Sequence, residues 1–409
     1  MSHRSTRPRH VGTAFALAFV ITAAAACSSS SGGSGASANS ANSTSTTNAI
    51  TVAVSAHAYS GTGPYPVGVE TLTLPKGNKV EVWYPAIKGT TGTDTYDVRD
   101  FVPPSIKKLL TANIPATFTI AAKRGAQVAP GQFPLVLFSH GFSGIRLQSS
   151  NLTSHLASWG MIVAAPDHPS RDLYNALQFK IGNSADAVAD LEATRVLIEQ
   201  QNAKTGTLLD HHVDETRIAA VGHSAGGQTV AAAAAEDTAI KGYVSLASGT
   251  FASTGSSGSA TTVPARPADK PSLFVAGAND HVAVFDKVTK PAFDAAPTPT
   301  LLWQIAKSGH NAFDDFCTLG NGKGIIGLAE ASGLGPLLAT KSFASFKELG
   351  SDGCSPPDVP VRTVWPIIDH VVTSWLRQLF GVDPKPGIGL GPDVGNQYAV
   401  SVRIEARPG

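Results

Sequence analysis

From about Ile50 onward, short unbroken apolar runs alternate with longer stretches in which apolar residues recur at helical spacing. The first pattern predicts strands and the second helices. Val67–Leu74 and Lys79–Tyr84, separated by a turn at Gly77-Asn78, read as an opening antiparallel hairpin. Phe133–Phe138 is a continuous apolar run, as expected of a strand buried on both faces. Met161–Ala165, Ile218–Val221, Gly242–Ala247, Ser272–Ala276 and Leu301–Ile305 read as further strands. Helices are predicted over Gln148–Trp159, over Asn183–Asn202 with Val188, Leu191 and Ile198 along one side, over Ala225–Ala235, and over Val364–Phe380, closed by Gly381 and Pro384. Elements in this order specify the α/β class, with a mostly parallel central sheet flanked by helices on both faces.

Two stretches break the rhythm. Ser248–Asp269, rich in Gly, Ser, Thr and Pro, reads as a surface loop, and Asn321–Pro357 is placed as part of a wall above the site proposed below. The ends of the chain are different again. Arg4, Arg7 and Arg9, the apolar stretch Val11–Ile21 and the small residues Ala23–Ala26 form an export signal over residues 1–26, too short and wrongly flanked for a membrane span. A Ser/Gly/Asn/Thr-rich tether follows over residues 27–48, then a single catalytic domain over residues 49–384, and residues 385–409 are set apart as a tail, although Tyr398–Ile404 is strand-like. The start of the chain resembles a bacterial lipoprotein, whose signal is cut before a cysteine that then carries the lipid. That resemblance makes Cys27 the lipidation site, with Ala24 at a position where such signals usually carry leucine. Plain secretion is the alternative, and either places the protein outside the cell or in the cell envelope.

With 409 residues, 42% of them hydrophobic and 15% charged, the chain has enough apolar surface for one large core and is expected to be a monomer. A net charge of +1, and no basic run with interleaved aromatics beyond the amino terminus, argue against nucleic acid as a partner. Once Cys27 is set aside, Cys317 and Cys354 remain, an even number in an oxidising compartment, and they are expected to be bonded. Closing such a loop stabilises a fold by roughly 3 to 4 kcal/mol in the chain-entropy view. Neither cysteine has a second Cys or a His at metal-ligand spacing, so no metal or other cofactor is expected.

The chemistry concentrates at Gly222-His223-Ser224-Ala225-Gly226, between an apolar strand and an alanine-rich helix. A serine at the tip of so tight a turn is forced into strained backbone geometry, with glycines on either side leaving it room, and its hydroxyl stands out at the carboxyl end of the sheet. A serine hydroxyl needs a base and an orienting acid, and on this fold they follow in the order acid, then histidine. Asp280, in the loop after Ser272–Ala276, and His310, in the loop after Leu301–Ile305, meet that order. Backbone N–H groups of Ala225 and, from the loop Phe138–Gly144, of Phe142 are expected to form an oxyanion hole. Asp286, Asp314 and Asp315 are alternative acids. His140 and His223 are read as scaffold, His281 as a rim residue, and His168 with Asp167 either as pocket lining or as a polar strand end.

Val82-Trp83-Tyr84-Pro85, Phe133–Gly141, Leu156–Ala165, the Ser224 turn, and Gly309-His310 followed by Phe313 and Asp315 together resemble the α/β-hydrolase superfamily over roughly Val80–Phe380. Within it they are similar to dienelactone hydrolase-like and platelet-activating-factor acetylhydrolase-like esterases. The resemblance implies a nucleophile at Ser224, a base at His310, and an oxyanion hole at Phe142 and Ala225. The acetylhydrolases take their acid after the next strand, which here ends Leu246-Ala247-Ser248 without a carboxylate, whereas Asp280 stands where cutinase-like polyesterases carry theirs. The function so implied is hydrolysis of carboxylic esters, whether lipid, small ester or polyester, through an acyl-enzyme on Ser224 by a secreted or lipid-anchored protein. An acyltransferase with the same residues, and a non-catalytic surface-binding lipoprotein of the same fold, are the alternatives.

Overall fold

The structure is a computed structural model that describes residues 55–249, 268–341 and 344–409. The export signal, Cys27, the tether and most of the Ser248–Asp269 loop lie outside the described residues. The strands are β1 (Val67–Thr73), β2 (Lys79–Pro85), β3 (Asp94–Asp97), β4 (Thr117–Ile120), β5 (Lys123–Arg124), β6 (Phe133–Ser139), β7 (Ile162–Pro166), β8 (Val213–His223), β9 (Ile240–Leu246), β10 (Ser272–Gly277), β11 (Thr300–Ile305) and β12 (Val402–Arg407). Ten of them form one sheet in the order β12-β11-β10-β9-β8-β6-β7-β2-β1-β5, and β3 pairs with β4 separately. The hairpin β1–β2 is antiparallel, and β7, β6, β8, β9, β10 and β11 run parallel.

The apolar strands owe their composition to two cores. In β6, Val136 and Phe138 face one cluster, shared with Leu156, Val364, Val371 and Leu376, while Leu135 and Leu137 face the other, shared with Leu191, Ile198, Val230 and Phe293. Consecutive residues of such a strand are both buried, so the sequence loses its period of two. The long helices are Ser150–Ser158, Ser184–Ala203, Ala225–Glu236 and Val361–Leu379. The last contains Pro366 in its second turn, where the missing N–H leaves Arg362 O without its helical donor.

A domain ending at residue 384 omits part of this sheet. Residues 385–409 cross the helix Val361–Leu379, where Ile388 O accepts from Ser374 Oγ and Gly389 O lies 3.1 Å from His370 Nε2. They then add β12 antiparallel to β11, in register from Thr300 with Arg407 to Ile305 with Val402. Arg403, Glu405 and Arg407 supply the charged outer edge that an end strand needs, which is why the pattern does not read as a core strand. Truncation after residue 397 is expected to lower stability by about 3 kcal/mol or more, since Val400 and Val402 are buried and the β11 edge is uncovered. A urea midpoint unchanged from that of the full chain would show that β12 is dispensable.

Candidate active site

Ser224 stands between β8 and the helix Ala225–Glu236 with φ 56° and ψ −124°. A non-glycine residue held there costs on the order of 1–3 kcal/mol, so its surroundings must fix it. They do so by close backbone approach. A Cβ on Gly222 would lie 2.2 Å from Gly226 O, and one on Gly226 would lie 1.9 Å from Ser139 O. Both glycines are thus dictated by space, and Ser224 projects from the turn they permit.

The turns after β10 and β11 come to the same edge. His310 Nε2 lies 2.9 Å from Ser224 Oγ, and His310 Nδ1 lies 2.9 Å from Asp280 Oδ2. The second oxygen of Asp280 accepts N–H bonds from Val282 at 2.9 Å and Ala283 at 2.6 Å, which leaves Oδ2 aimed at the imidazole. Burial pushes the His310 pKa down, but the charge and hydrogen bond of Asp280 outweigh it, with Asp352 and Asp314 adding to the rise, so His310 titrates above the ordinary histidine value.

The other acids and histidines face elsewhere. Asp315 accepts the backbone N–H of Asn151, and Asp314 that of Phe316. Burial raises the Asp314 pKa to about 8. Asp286 lies in the turn before the helix Thr289–Ala295. His223 Nε2 lies 3.0 Å from His310 O and its Nδ1 2.9 Å from Gln148 Nε2, a pairing that fits a neutral ring donating to the carbonyl and accepting from the amide. Burial keeps His223 and His140 well below the usual histidine range. His168 is buried between Ser139 Oγ and Asp190, and Asp167 pairs with Arg146, so these are structural strand-end contacts. His281 is exposed and pairs with Asp352.

Among the described residues Phe142 N has no acceptor, and Ala225 N opens a helix, where amides lack intrahelical partners. Both residues border the cleft at Ser224. The loop carrying Phe142 is held by a residue that no local motif signals. Arg171 donates to Ser139 Oγ at 2.8 Å, His140 O at 2.7 Å, Thr229 Oγ1 at 2.7 Å and, more weakly, Ala225 O at 3.4 Å. Its own carbonyl accepts from Ser143 N at 2.8 Å, and Ser143 has φ 54°. One guanidinium therefore ties the Phe142 loop to the start of the helix behind Ser224. Gln148 and Asp352 are further contacts that the sequence does not announce, because each works across loops far apart in the chain.

Cys317 and Cys354 are bonded, with Cα atoms 4.9 Å apart. The chain between them carries the helices Gly324–Ala331 and Ala344–Leu349 and forms the far wall of a narrow pocket of about 30 Å³ at Ser224. Phe316, Ile325, Phe346 and Leu349 face Leu173 and Phe142 across it. The described residues contain no cluster of His, Cys, Asp and Glu able to hold a metal ion.

A model of the chlorophyllase family matches residues 88–264, a span that includes Phe142, Ser224 and Ala225 and ends before Asp280 and His310. Among solved structures, a ferulic acid esterase from Streptomyces cinnamoneus is similar, with 20% identity and a TM-score of 0.52, over 79% of this chain and 92% of that one. The fold is that of the α/β-hydrolases. Taken with the family match, it indicates a carboxylic ester hydrolase.

Arg171→Met is expected to cost about 3 kcal/mol, because it strips charge-assisted bonds from buried acceptors including His140 O. Urea unfolding of the variant measures this, and a loss below about 1 kcal/mol would mean that the loop holds itself.

Proposed function

We propose that the protein is an exported serine esterase that cleaves carboxylic esters through an acyl-enzyme on Ser224. The observation that carries this reading is the unbroken relay from Ser224 Oγ through His310 to Asp280, with 2.9 Å at each link. In that relay the hydroxyl attacks the ester carbonyl while its proton passes to His310 Nε2, and Asp280 holds the imidazole in the tautomer that leaves Nε2 free to accept. Charge on the carbonyl oxygen is met by the N–H groups of Ala225 and Phe142, the first of them also at the positive end of a helix. His310 then protonates the leaving alcohol, and a water activated by the same imidazole releases the acid.

Apolar lining on the pocket wall supports an ester whose group next to the carbonyl is hydrocarbon or aromatic rather than charged. The similarity to a ferulic acid esterase supports the same choice. Export is supported by the arginines and apolar run at the amino terminus, and by a disulfide that requires an oxidising compartment. Cys27 is the lipid attachment point in this reading.

Turnover of a short-chain chromogenic ester tests the mechanism. Ser224→Ala is expected to lower kcat by about 10³-fold or more, and equal rates in the two proteins would remove the esterase reading. The base must be neutral to accept a proton, so kcat/KM falls as pH drops through the His310 pKa, which lies above 6.5. Asp280→Asn is expected to move that acid limb downward, because it removes the charge that favours the imidazolium. A limb that stays in place would detach Asp280 from His310. For the anchor, expression in a bacterial host with a labelled fatty acid is expected to label the wild type and not Cys27→Ser, and label on neither would leave plain secretion.

A further inference from the structure

The relay lies in two separate loops, and one carboxylate outside it touches both. Asp352 is buried, and its Oδ1 accepts the backbone N–H of His310 at 2.5 Å. Its Oδ2 accepts both the backbone N–H and the ring Nδ1–H of His281, at 3.1 and 2.8 Å. His281 directly follows Asp280. The carbonyl of Asp352 takes the backbone and side-chain N–H groups of Asn311, directly after His310, at 3.0 and 2.9 Å. Asp352 also dictates a sequence feature: a Cβ on Gly309 would stand 2.2 Å from Asp352 Oδ1, so only glycine lets the loop close down on the carboxylate. Two residues further on, Cys354 fastens this segment to Cys317.

We propose that Asp352 is a positioning residue for the base, tying the loop of His310 to the loop of Asp280 and setting, with His281, the charge that His310 experiences. Its kinetic arm rests on the esterase reading above. The charged and titratable groups acting on His310 are Asp280, Asp352 and Asp314, with the His223 ring tilted against it at 4.9 Å between centroids. Those acting on His281 are Asp352, Glu348 and Asp358, and they hold its pKa above the ordinary value. Two opposite effects follow. Asp352 as an anion favours protonated His310, whereas protonated His281 compensates that anion and weakens its influence.

The test is a histidine NMR titration of His310 in the full chain, alongside the pH profile of ester turnover. Asp352→Asn is expected to lower the His310 midpoint by about half a unit or more, and exposed His281→Gln to raise it. In the Asp352→Asn background, His281→Gln is expected to shift nothing further. Turnover by Asp352→Asn is expected to lose about tenfold in kcat with KM within about twofold, as for a misplaced base. A His310 midpoint unmoved by Asp352→Asn, or a raised KM with kcat intact, would overturn the proposal and leave Asp352 as a prop of the pocket wall. Should Asp352→Asn fail to fold, His281→Gln alone decides: an upward shift supports the coupling, and an unmoved midpoint overturns it. Failure of the esterase reading shows separately, as wild-type protein without Ser224-dependent turnover, while the titration still reports on Asp352.

Discussion

Close backbone contact at a single turn governs the site. Gly226 packs against the end of β6 and Gly222 against Gly226, so the strand β8 and the helix behind it meet at a distance that no side chain permits. Ser224 is held at positive φ by that contact rather than by any bond of its own side chain. The energy stored in the turn is small beside what the two cores on either side of β6 and β8 supply, which is why the strain persists. The same contact brings the Phe142 loop against Ser224, since a Cβ on Gly141 would already stand 3.1 Å from Ser224 Cβ.

Around that turn, polar residues do what packing cannot. His223 reaches from the turn to the carbonyl of His310, Arg171 binds the Phe142 loop to the helix start, and Asp352 joins the two loops after β10 and β11. Each link joins segments far apart in the chain. The acceptors they hold, His310 O, His140 O and the Asp352 carboxylate, are buried, so losing a donor leaves such a group without water, at a cost of about 1–3 kcal/mol. The disulfide acts at longer range, fixing the segment that carries both the apolar pocket wall and Asp352.

Much of this was legible in the residue order. Strands buried on both faces announce themselves as apolar runs, and Gly222, Ser224 and Gly226 encode the turn directly, because a steric demand on three nearby positions leaves a local trace. Asp280 and His310 stand together beside Ser224, as their places after successive strands led one to expect, because β10 and β11 are neighbours whose ends reach one edge of the sheet. Arg171, Gln148 and Asp352 were not legible there, since a partner contributed by a distant loop imposes no pattern on its own neighbourhood. Residues 385–409 were cut from the domain for a related reason: an edge strand carries charges that mimic a solvated tail, and its true partner, β11, lies about a hundred residues away.

The central claim is that His310, oriented by Asp280, makes Ser224 alone among the serines a nucleophile. Reaction with a fluorophosphonate, followed by intact mass and peptide mapping, tests it without any choice of substrate. The account predicts one adduct, on Ser224, formed at a rate that collapses in His310→Ala and falls at pH values below the His310 pKa. Labelling elsewhere, or labelling of Ser224 at an undiminished rate in His310→Ala, would contradict it.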